Sequence, residues 1–209
     1  MRRCFLLVAT LTALCALAPA ATLLSENFDE LTPMLTATSA GAFATIGGTN
    51  VDIVGGALFG SLCAAPESGN CIDLDGTNGN SQGDLQTTSA IMLTPGVNYF
   101  LSFDLIGSGR GVTTSTAVTF GPYSQTFNLT SSDTTSGIVS NQLVTVSSPV
   151  AADLTFTSNT PGNIGALLDN VTITSGTTAT PEPSSVALLL SAAMAGTALL
   201  RFRRRAGSR

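Results

Sequence analysis

The sequence predicts an all-β protein: a central β-sandwich, flanked by an N-terminal signal helix and a C-terminal transmembrane helix. Three observations predict this fold. Short segments of alternating apolar and polar residues recur along the middle of the chain, and turn residues separate them. No segment there has the apolar period of an amphipathic helix. The middle is also rich in Thr, Ser, Gly and Asn, a composition typical of strands and turns. A jelly roll is the favoured arrangement, with a barrel or a short β-helix as alternatives.

The clearest strand signals lie around one predicted hairpin. Residues 98–105 alternate so that Tyr99, Leu101, Phe103 and Leu105 share one face. Residues 112–120 alternate in the same way, Gly121-Pro122 is a turn signal, and residues 123–129 return as the second strand. The remaining predicted strands are 22–28, 43–46, 51–54, 71–74, 85–93, 143–146, 153–157 and 167–174.

Residues 1–20 have the three parts of a secretory signal peptide. Arg2 and Arg3 form the charged start, an apolar run follows to Leu17, and Ala18-Pro19-Ala20 is a small-residue cleavage site. Cleavage after Ala20 would leave a domain over residues 21–174. The alternative interpretation is that this segment forms a buried core helix. That alternative is less favoured, because no residues before the segment could pack around such a helix.

The other end of the chain is built in four parts. A small polar segment, 175–180, is predicted to be a flexible linker. A Pro-Glu-Pro triplet, an apolar helix over 184–200 and a basic tail over 201–209 follow it. The apolar segment is at the lower edge of the roughly 17–25 residues that span a bilayer, and the arginines would stay cytoplasmic. The residues of the triplet and the arginine cluster are Pro181, Glu182, Pro183, Arg201, Arg203, Arg204 and Arg205.

These three elements, in this order, resemble the PEP-CTERM sorting signal of Gram-negative bacteria. The resemblance implies recognition by an exosortase, a membrane-embedded processing enzyme, and cleavage near Pro181-Glu182-Pro183. It also implies a precursor anchored in the inner membrane and delivery to the cell surface or the exopolysaccharide matrix. An ordinary single-span anchor is the alternative, and in that case the apolar segment would be retained.

The middle of the chain resembles the galactose-binding-like and carbohydrate-binding-module-like jelly rolls. The matching pieces are residues 26–29, 72–76, 95–104 and 165–173, in that order. In the resembled family, acidic groups near the first strand and in the last strand hold a structural calcium. The resemblance therefore implies a calcium site formed by Glu26 or Asp29 together with Asp169.

The sequence around Asp169 supports the same hypothesis. In a regular strand, Leu167, Asp169, Val171 and Ile173 would share the core face, which would bury a carboxylate. A buried charge needs a partner or a metal, and Arg110 is the single basic residue of the domain. The alternative is that Asp169 accepts backbone hydrogen bonds. Residues 73–80 are also rich in acids and amides, and we predict a polar turn there. A cation-binding loop is the alternative, although the segment lacks the glutamate that completes an EF-hand.

Cys63 and Cys71 are the two cysteines that remain after the signal peptide. Two cysteines in an exported domain predict a disulfide, here closing a short polar loop. A redox or metal-binding pair is the alternative, although the chain contains no histidine to complete a zinc site.

Charge and composition exclude several function classes. Residues 21–180 contain twelve acidic and one basic side chain, a formal charge of −11, so we expect no nucleic-acid binding. The absence of His and Lys excludes the common nucleophilic mechanisms, and no carboxylate pair marks a glycosidase, so we expect no enzyme. We therefore predict a non-enzymatic surface or matrix protein. The alternatives are a carbohydrate-binding module with a defined glycan and, least favoured, a secreted hydrolase.

Overall fold

The computed structural model describes residues 20–63, 68–77 and 82–177. They form strands joined by turns and one 3-10 turn, Gly60–Leu62. The predicted signal helix, transmembrane helix and sorting motif lie outside the described residues. Within the described part of the chain, no helix is long and apolar enough to cross a membrane. In chain order, the strands are β1 Ala21–Glu26, β2 Met34–Ala37, β3 Ser39–Ala40, β4 Phe43–Thr45, β5 Val51–Val54, β6 Cys71–Asp73, β7 Asp84–Thr87, β8 Ile91–Leu93, β9 Val97–Ile106, β10 Thr114–Phe120, β11 Tyr123–Leu129, β12 Val139–Val144, β13 Val150–Ala152, β14 Leu154–Ser158 and β15 Leu167–Thr177.

Two antiparallel sheets contain most of these strands. One sheet has the order β12-β9-β15-β6-β5-β2, with β1 paired to β15, and the other has the order β11-β10-β14-β7-β4-β3. A small third sheet pairs β13 with β8. The sheets contribute side chains to one shared core, which confirms the predicted all-β fold and the β-sandwich. The jelly-roll subtype stays a prediction.

Strand β9 shows how the alternating pattern produces the core. Tyr99, Leu101, Phe103 and Leu105 are all buried, as the sequence predicts, whereas the residues between them are partly exposed. Phe103 reaches the opposite sheet, where its ring meets Phe127 and Phe156 edge-on at centroid distances of 5.7 and 5.3 Å.

The predicted hairpin is confirmed, with β10 starting at Thr114 rather than at residue 112. Strands β10 and β11 pair without interruption from Thr114↔Leu129 to Phe120↔Tyr123. Gly121 turns the chain with a φ of 55°, a left-handed conformation that glycine adopts without strain.

The structure divides one predicted strand and adds three. Residues 85–93 form β7 and β8, which belong to different sheets, because the chain bends between them. Strands β2, β3 and β13 were not predicted. They have two to four residues each, too short for an alternating pattern to be recognised. At the domain ends, β1 begins at Ala21, and β15 continues to Thr177, within the segment predicted as a linker.

Candidate functional site

A β-bulge in β15 decides which way Asp169 faces. The pairing of β15 with β9 shifts register between Asp169 and Thr172, and Asn170 there has a left-handed φ of 53°. Leu168, Val171 and Ile173 consequently face the main core. The prediction that Leu167 and Asp169 share the core face with Val171 and Ile173 is wrong, because the bulge leaves Leu167 and Asp169 on the outer side of the sheet. Asp169 is nevertheless only 1% exposed.

The Cys63–Cys71 disulfide lies beside this outer face. Cys63 and Cys71 form the predicted disulfide, with Cα atoms 5.7 Å apart. Cys71 is fully buried in a small second cluster with Val54, Ile106 and Leu167. The backbone N–H of Ser68 donates to Oδ2 of Asp169 at 3.5 Å. The disulfide and Ser68 therefore both lie on the side of the sheet that carries the buried carboxylate.

Asp169 is surrounded by other acidic and amide groups. The Asn170 backbone N–H donates to its Oδ1 at 2.7 Å, and the Asn170 amide donates to Asp104 Oδ2 at 2.9 Å. Burial, with smaller contributions from the charges of Asp29 and Asp104, raises the pKa of Asp169 to about 6, against the lowering effect of the two backbone donors. The site thus holds one buried carboxylate with two acidic neighbours.

Asp29 belongs to this neighbourhood and is itself positioned by the disulfide loop. The backbone N–H of Asn70 donates to Asp29 Oδ1 at 3.0 Å, and the Asn27 amide donates to Oδ2 at 2.9 Å. The Asn70 side chain also donates to the carbonyl oxygens of Asp29 and Leu31, at 3.2 and 2.8 Å. Asn70 therefore connects the segment after β1 to the disulfide loop.

Glu26, the other predicted partner of Asp169, binds backbone N–H groups instead. Its Oε1 accepts from the Phe28 backbone N–H at 3.1 Å, and its Oε2 accepts from the Ala42 N–H at 3.0 Å. Both oxygens thus bind the backbone, one of them at Phe28, whose φ of 58° is left-handed. Of the two predicted partners of Asp169, it is Asp29 whose charge acts on that carboxylate.

The oxygen-rich surroundings of Asp169 suit a hard cation such as calcium, which binds carboxylate, amide, carbonyl and water oxygens. Among the described residues, no three His, Cys, Asp or Glu side chains lie close enough together to hold a metal by themselves. A calcium at Asp169 would therefore complete its six to eight oxygen ligands, the usual range for this ion, with carbonyl, amide or water oxygens.

Arg110 does not neutralise Asp169, because it forms an ion pair with Asp73. Asp73 also accepts from the backbone N–H groups of Gly165 and Asp75, at 2.9 and 3.2 Å. Burial raises the pKa of Asp73 to about 7 despite Arg110 and these donors. The polar-turn prediction for residues 73–80 missed this buried pair. One feature of the sequence could have indicated this pair: Arg110, the one basic residue of the domain, needs an acidic partner if it is partly buried.

Arg110→Met is expected to destabilise the protein in a pH-dependent way. A carboxyl whose pKa is raised on folding contributes stability at low pH, which is lost as pH rises to its folded pKa. Without Arg110 that pKa rises further, so the loss continues above pH 7. Unfolding free energies should differ little between wild type and variant at about pH 5, and by roughly 3 kcal/mol at about pH 9.

The control for this experiment is the double variant Arg110→Met with Asp73→Asn, measured by denaturant unfolding across the same pH range. Because the double variant has no ionisable group at position 73, its difference from wild type should not increase above pH 7. A difference between Arg110→Met and wild type that is equal at both pH values would contradict a stabilising ion pair.

Phe59 is the one exposed aromatic side chain among the described residues. It is 56% exposed and has a left-handed φ of 55°, at the start of the 3-10 turn that leads to Cys63. The other aromatic rings of the described chain are buried or half-buried. The described surface therefore has no row of aromatic side chains of the kind that lines a sugar-binding face.

Comparisons with known proteins add no assignment. No protein-family model and no curated protein matches the chain. One similar solved structure is the K3 cleaved adhesin domain of Lys-gingipain from Porphyromonas gingivalis W83, at 15% identity and a TM-score of 0.41. That match covers 75% of this chain and 99% of that domain. The K1 cleaved adhesin domain of the same protein has 13% identity and a TM-score of 0.43, over 75% and 98% of the two chains.

Proposed function

We propose that this chain is the precursor of a non-enzymatic protein that an exosortase places on the cell surface or in the exopolysaccharide matrix. The observation that carries the proposal is the order of three elements: Pro181-Glu182-Pro183, the apolar segment 184–200 and the arginines from Arg201 to Arg205. The export signal over residues 1–20 places the domain outside the cytoplasm. The apolar segment then halts transfer, with its arginines on the cytoplasmic side.

Features of the domain support export. The Cys63–Cys71 disulfide is the kind of bond that persists in oxidising compartments. Strand β1 begins at Ala21, directly after the proposed cleavage position, so cleavage there would leave the strand intact. The domain's strong negative charge favours a soluble protein and opposes binding to nucleic acid.

The domain's chemistry favours a structural role over catalysis. The chain has no His and no Lys, and its one basic side chain between residues 20 and 177 is held by Asp73. A carbohydrate-binding module needs an aromatic-lined face, whereas Phe59 is the one exposed aromatic side chain of the described surface. The binding-module and hydrolase alternatives are therefore less well supported than a matrix or surface component.

A structural calcium at Asp169 is part of the proposal. Asp169 is buried on the outer face of the sheet, beside Asp29 and Asp104, and the domain's arginine is paired elsewhere. A cation there would neutralise a carboxylate that has no positive partner among the described residues. It would also tie the β15 bulge to the disulfide loop and to the segment after β1.

Glu182→Ala is expected to block processing of the tail. C-terminal peptide mapping of the mature wild-type protein should find that segment 184–200 has been removed, because the proposed recognition requires the Pro-Glu-Pro triplet. The variant should retain the segment and stay with the inner membrane. The matched control, Thr180→Ala, changes a neighbouring residue outside the triplet and should be processed like wild type.

Two outcomes would contradict the sorting proposal. One is a wild-type protein that keeps residues 184–200, which would make the tail a single-span anchor. The other is equal processing of wild type and Glu182→Ala, which would show that the triplet is not recognised.

A further inference from the structure

The two large sheets end in five free strand edges among the described residues, and four of these are short or irregular. β3 has two residues. β2 and β12 each contain a left-handed residue, Thr36 and Asn141, together with a register shift. β1 shifts register between Thr22 and Leu24. Short strands and bulges are the devices by which proteins prevent edges from pairing with other chains.

The fifth edge, β11, has none of these devices. It runs for seven residues and pairs with β10 in one unbroken register. It contains no proline, no charged residue and no left-handed residue. The side chains of Ser124, Gln125, Thr126 and Asn128 are exposed along it.

The outer side of β11 offers unpaired backbone groups. In an antiparallel pair, successive residues direct their N–H and C=O groups alternately toward the partner and away from it. The two-residue turn makes Phe120 and Tyr123 the closing hydrogen-bonded pair. Every second residue after Tyr123 is therefore in a non-hydrogen-bonded pair, and the backbone N–H and C=O groups of Ser124, Thr126 and Asn128 point away from β10. No described residue outside the hairpin forms a backbone hydrogen bond with β11.

Charge favours a second copy of this chain as the occupant. Residues 111–132, which include the whole β10–β11 hairpin, contain no charged side chain, although the domain as a whole is strongly acidic. Two acidic molecules repel each other, and this hairpin is a long neutral segment through which they can approach. A basic partner would instead be drawn to the acidic surface elsewhere.

We infer that β11 pairs antiparallel with β11 of a second copy, with Thr126 facing Thr126 across a twofold axis. Such an interface is self-complementary. Ser124 then faces Asn128 on the outer surface, and Thr–Thr and hydroxyl–amide pairs are favourable cross-strand neighbours. About six backbone hydrogen bonds would join the two six-stranded sheets into one continuous sheet.

A single strand edge buries little surface, so the association of free molecules should be weak. Molecules concentrated at a cell surface or in a matrix gain effective concentration, which makes weak pairing productive. The inference goes beyond the proposed sorting, and its test does not depend on whether the tail is cleaved.

Oxidative crosslinking of cysteine variants of the full chain, produced in cells, tests the pairing. Thr126→Cys should give a covalent dimer on a non-reducing gel. Directly facing residues have Cα atoms about 5.5 Å apart, which a disulfide can span. Gln142→Cys, an exposed position on the irregular edge strand β12, is the matched control and should give no covalent dimer, as should wild type, which has no thiol at the paired edge.

Register is tested with Ser124→Cys and Asn128→Cys. Either variant alone places its two thiols about 14 Å apart in the paired strands and should crosslink poorly. Co-production of the two variants should give a dimer, because position 124 faces position 128. The inference is overturned if Thr126→Cys crosslinks no better than Gln142→Cys. It is also overturned if Ser124→Cys alone crosslinks as well as the mixture, which would indicate another register or direction.

Discussion

Removal of calcium is expected to lower the melting temperature of the protein by about 8–16 °C at neutral pH. A ligand present at about 1,000 times its Kd stabilises the state that binds it by about 4 kcal/mol. For a domain of this size, each kcal/mol corresponds to roughly 2–4 °C. The measurement is thermal unfolding with excess calcium and with chelator, at about pH 7.5.

When a chelator has removed calcium, the stability of the protein should depend on pH through Asp169. Its pKa is about 6 in the folded protein against an ordinary value of 3.8, so the folded state holds more protons between these values. The stability that this group contributes is fully present below about pH 4 and is lost as pH rises to about 6, a total of roughly 3 kcal/mol. Calcium should reverse this loss, because it binds the ionised carboxylate.

Asp169→Asn separates a calcium ligand from a merely structural residue. In chelator at neutral pH the variant should be more stable than wild type, because it removes a buried negative charge beside Asp29 and Asp104. With calcium the order should reverse, because the variant has lost the central ligand. Asp153→Asn, a half-buried position between β13 and β14, is the control and should keep the calcium response.

Equal melting temperatures of the wild-type protein with calcium and with chelator would rule out a structural calcium. If Asp169→Asn retained the full calcium response, the ion would bind elsewhere. Both outcomes leave the sorting proposal intact, since that proposal is tested by peptide mapping of the tail.

Phe103→Ala is expected to lower the free energy of unfolding by about 3–5 kcal/mol. Its ring is buried in the seven-stranded sheet and contacts Phe127 and Phe156 of the other sheet edge-on. The substitution therefore removes buried apolar surface, leaves a cavity and breaks two aromatic pairs between the sheets. Denaturant unfolding should show a lower midpoint with an unchanged slope.

Phe59→Ala is the matched control for this loss. It deletes the same side chain at an exposed position that is already left-handed, so stability should change by no more than about 0.5 kcal/mol. If the two variants lost equal stability, Phe103 would not connect the sheets as the structure indicates.

Most of the strands could be predicted because alternation along a strand is a local property. Tyr99, Leu101, Phe103 and Leu105 lie on one face in the sequence pattern and in the structure. The hairpin at Gly121-Pro122 is equally local, since the turn residues specify their own backbone conformation. The disulfide followed from two cysteines in a domain that the sequence predicts to be exported.

The candidate site could be predicted only in part. The sequence identified Asp169 and offered Glu26 or Asp29 as its partner, and the structure directs both oxygens of Glu26 to backbone N–H groups instead. The position of Asp104 opposite Asp169 depends on the register between β15 and β9, which are far apart in the sequence. Asp73 gave no local sign of burial, because β6 is central in its sheet and both of its faces are covered.

The sequence alone determined the all-β class, the hairpin, the disulfide partners and the order of the predicted targeting segments, because each depends on neighbouring residues or on composition. The tertiary structure decided the rest. The bulge at the left-handed residue Asn170 places Asp169 on the opposite face from Val171 and Ile173. Arg110, the one basic residue of the domain, forms an ion pair with Asp73. Strand order leaves β11 as the one long, regular free edge of the described sheets. Each of these depends on which distant strands pair and in what register, and the alternating pattern of a single strand does not contain that information.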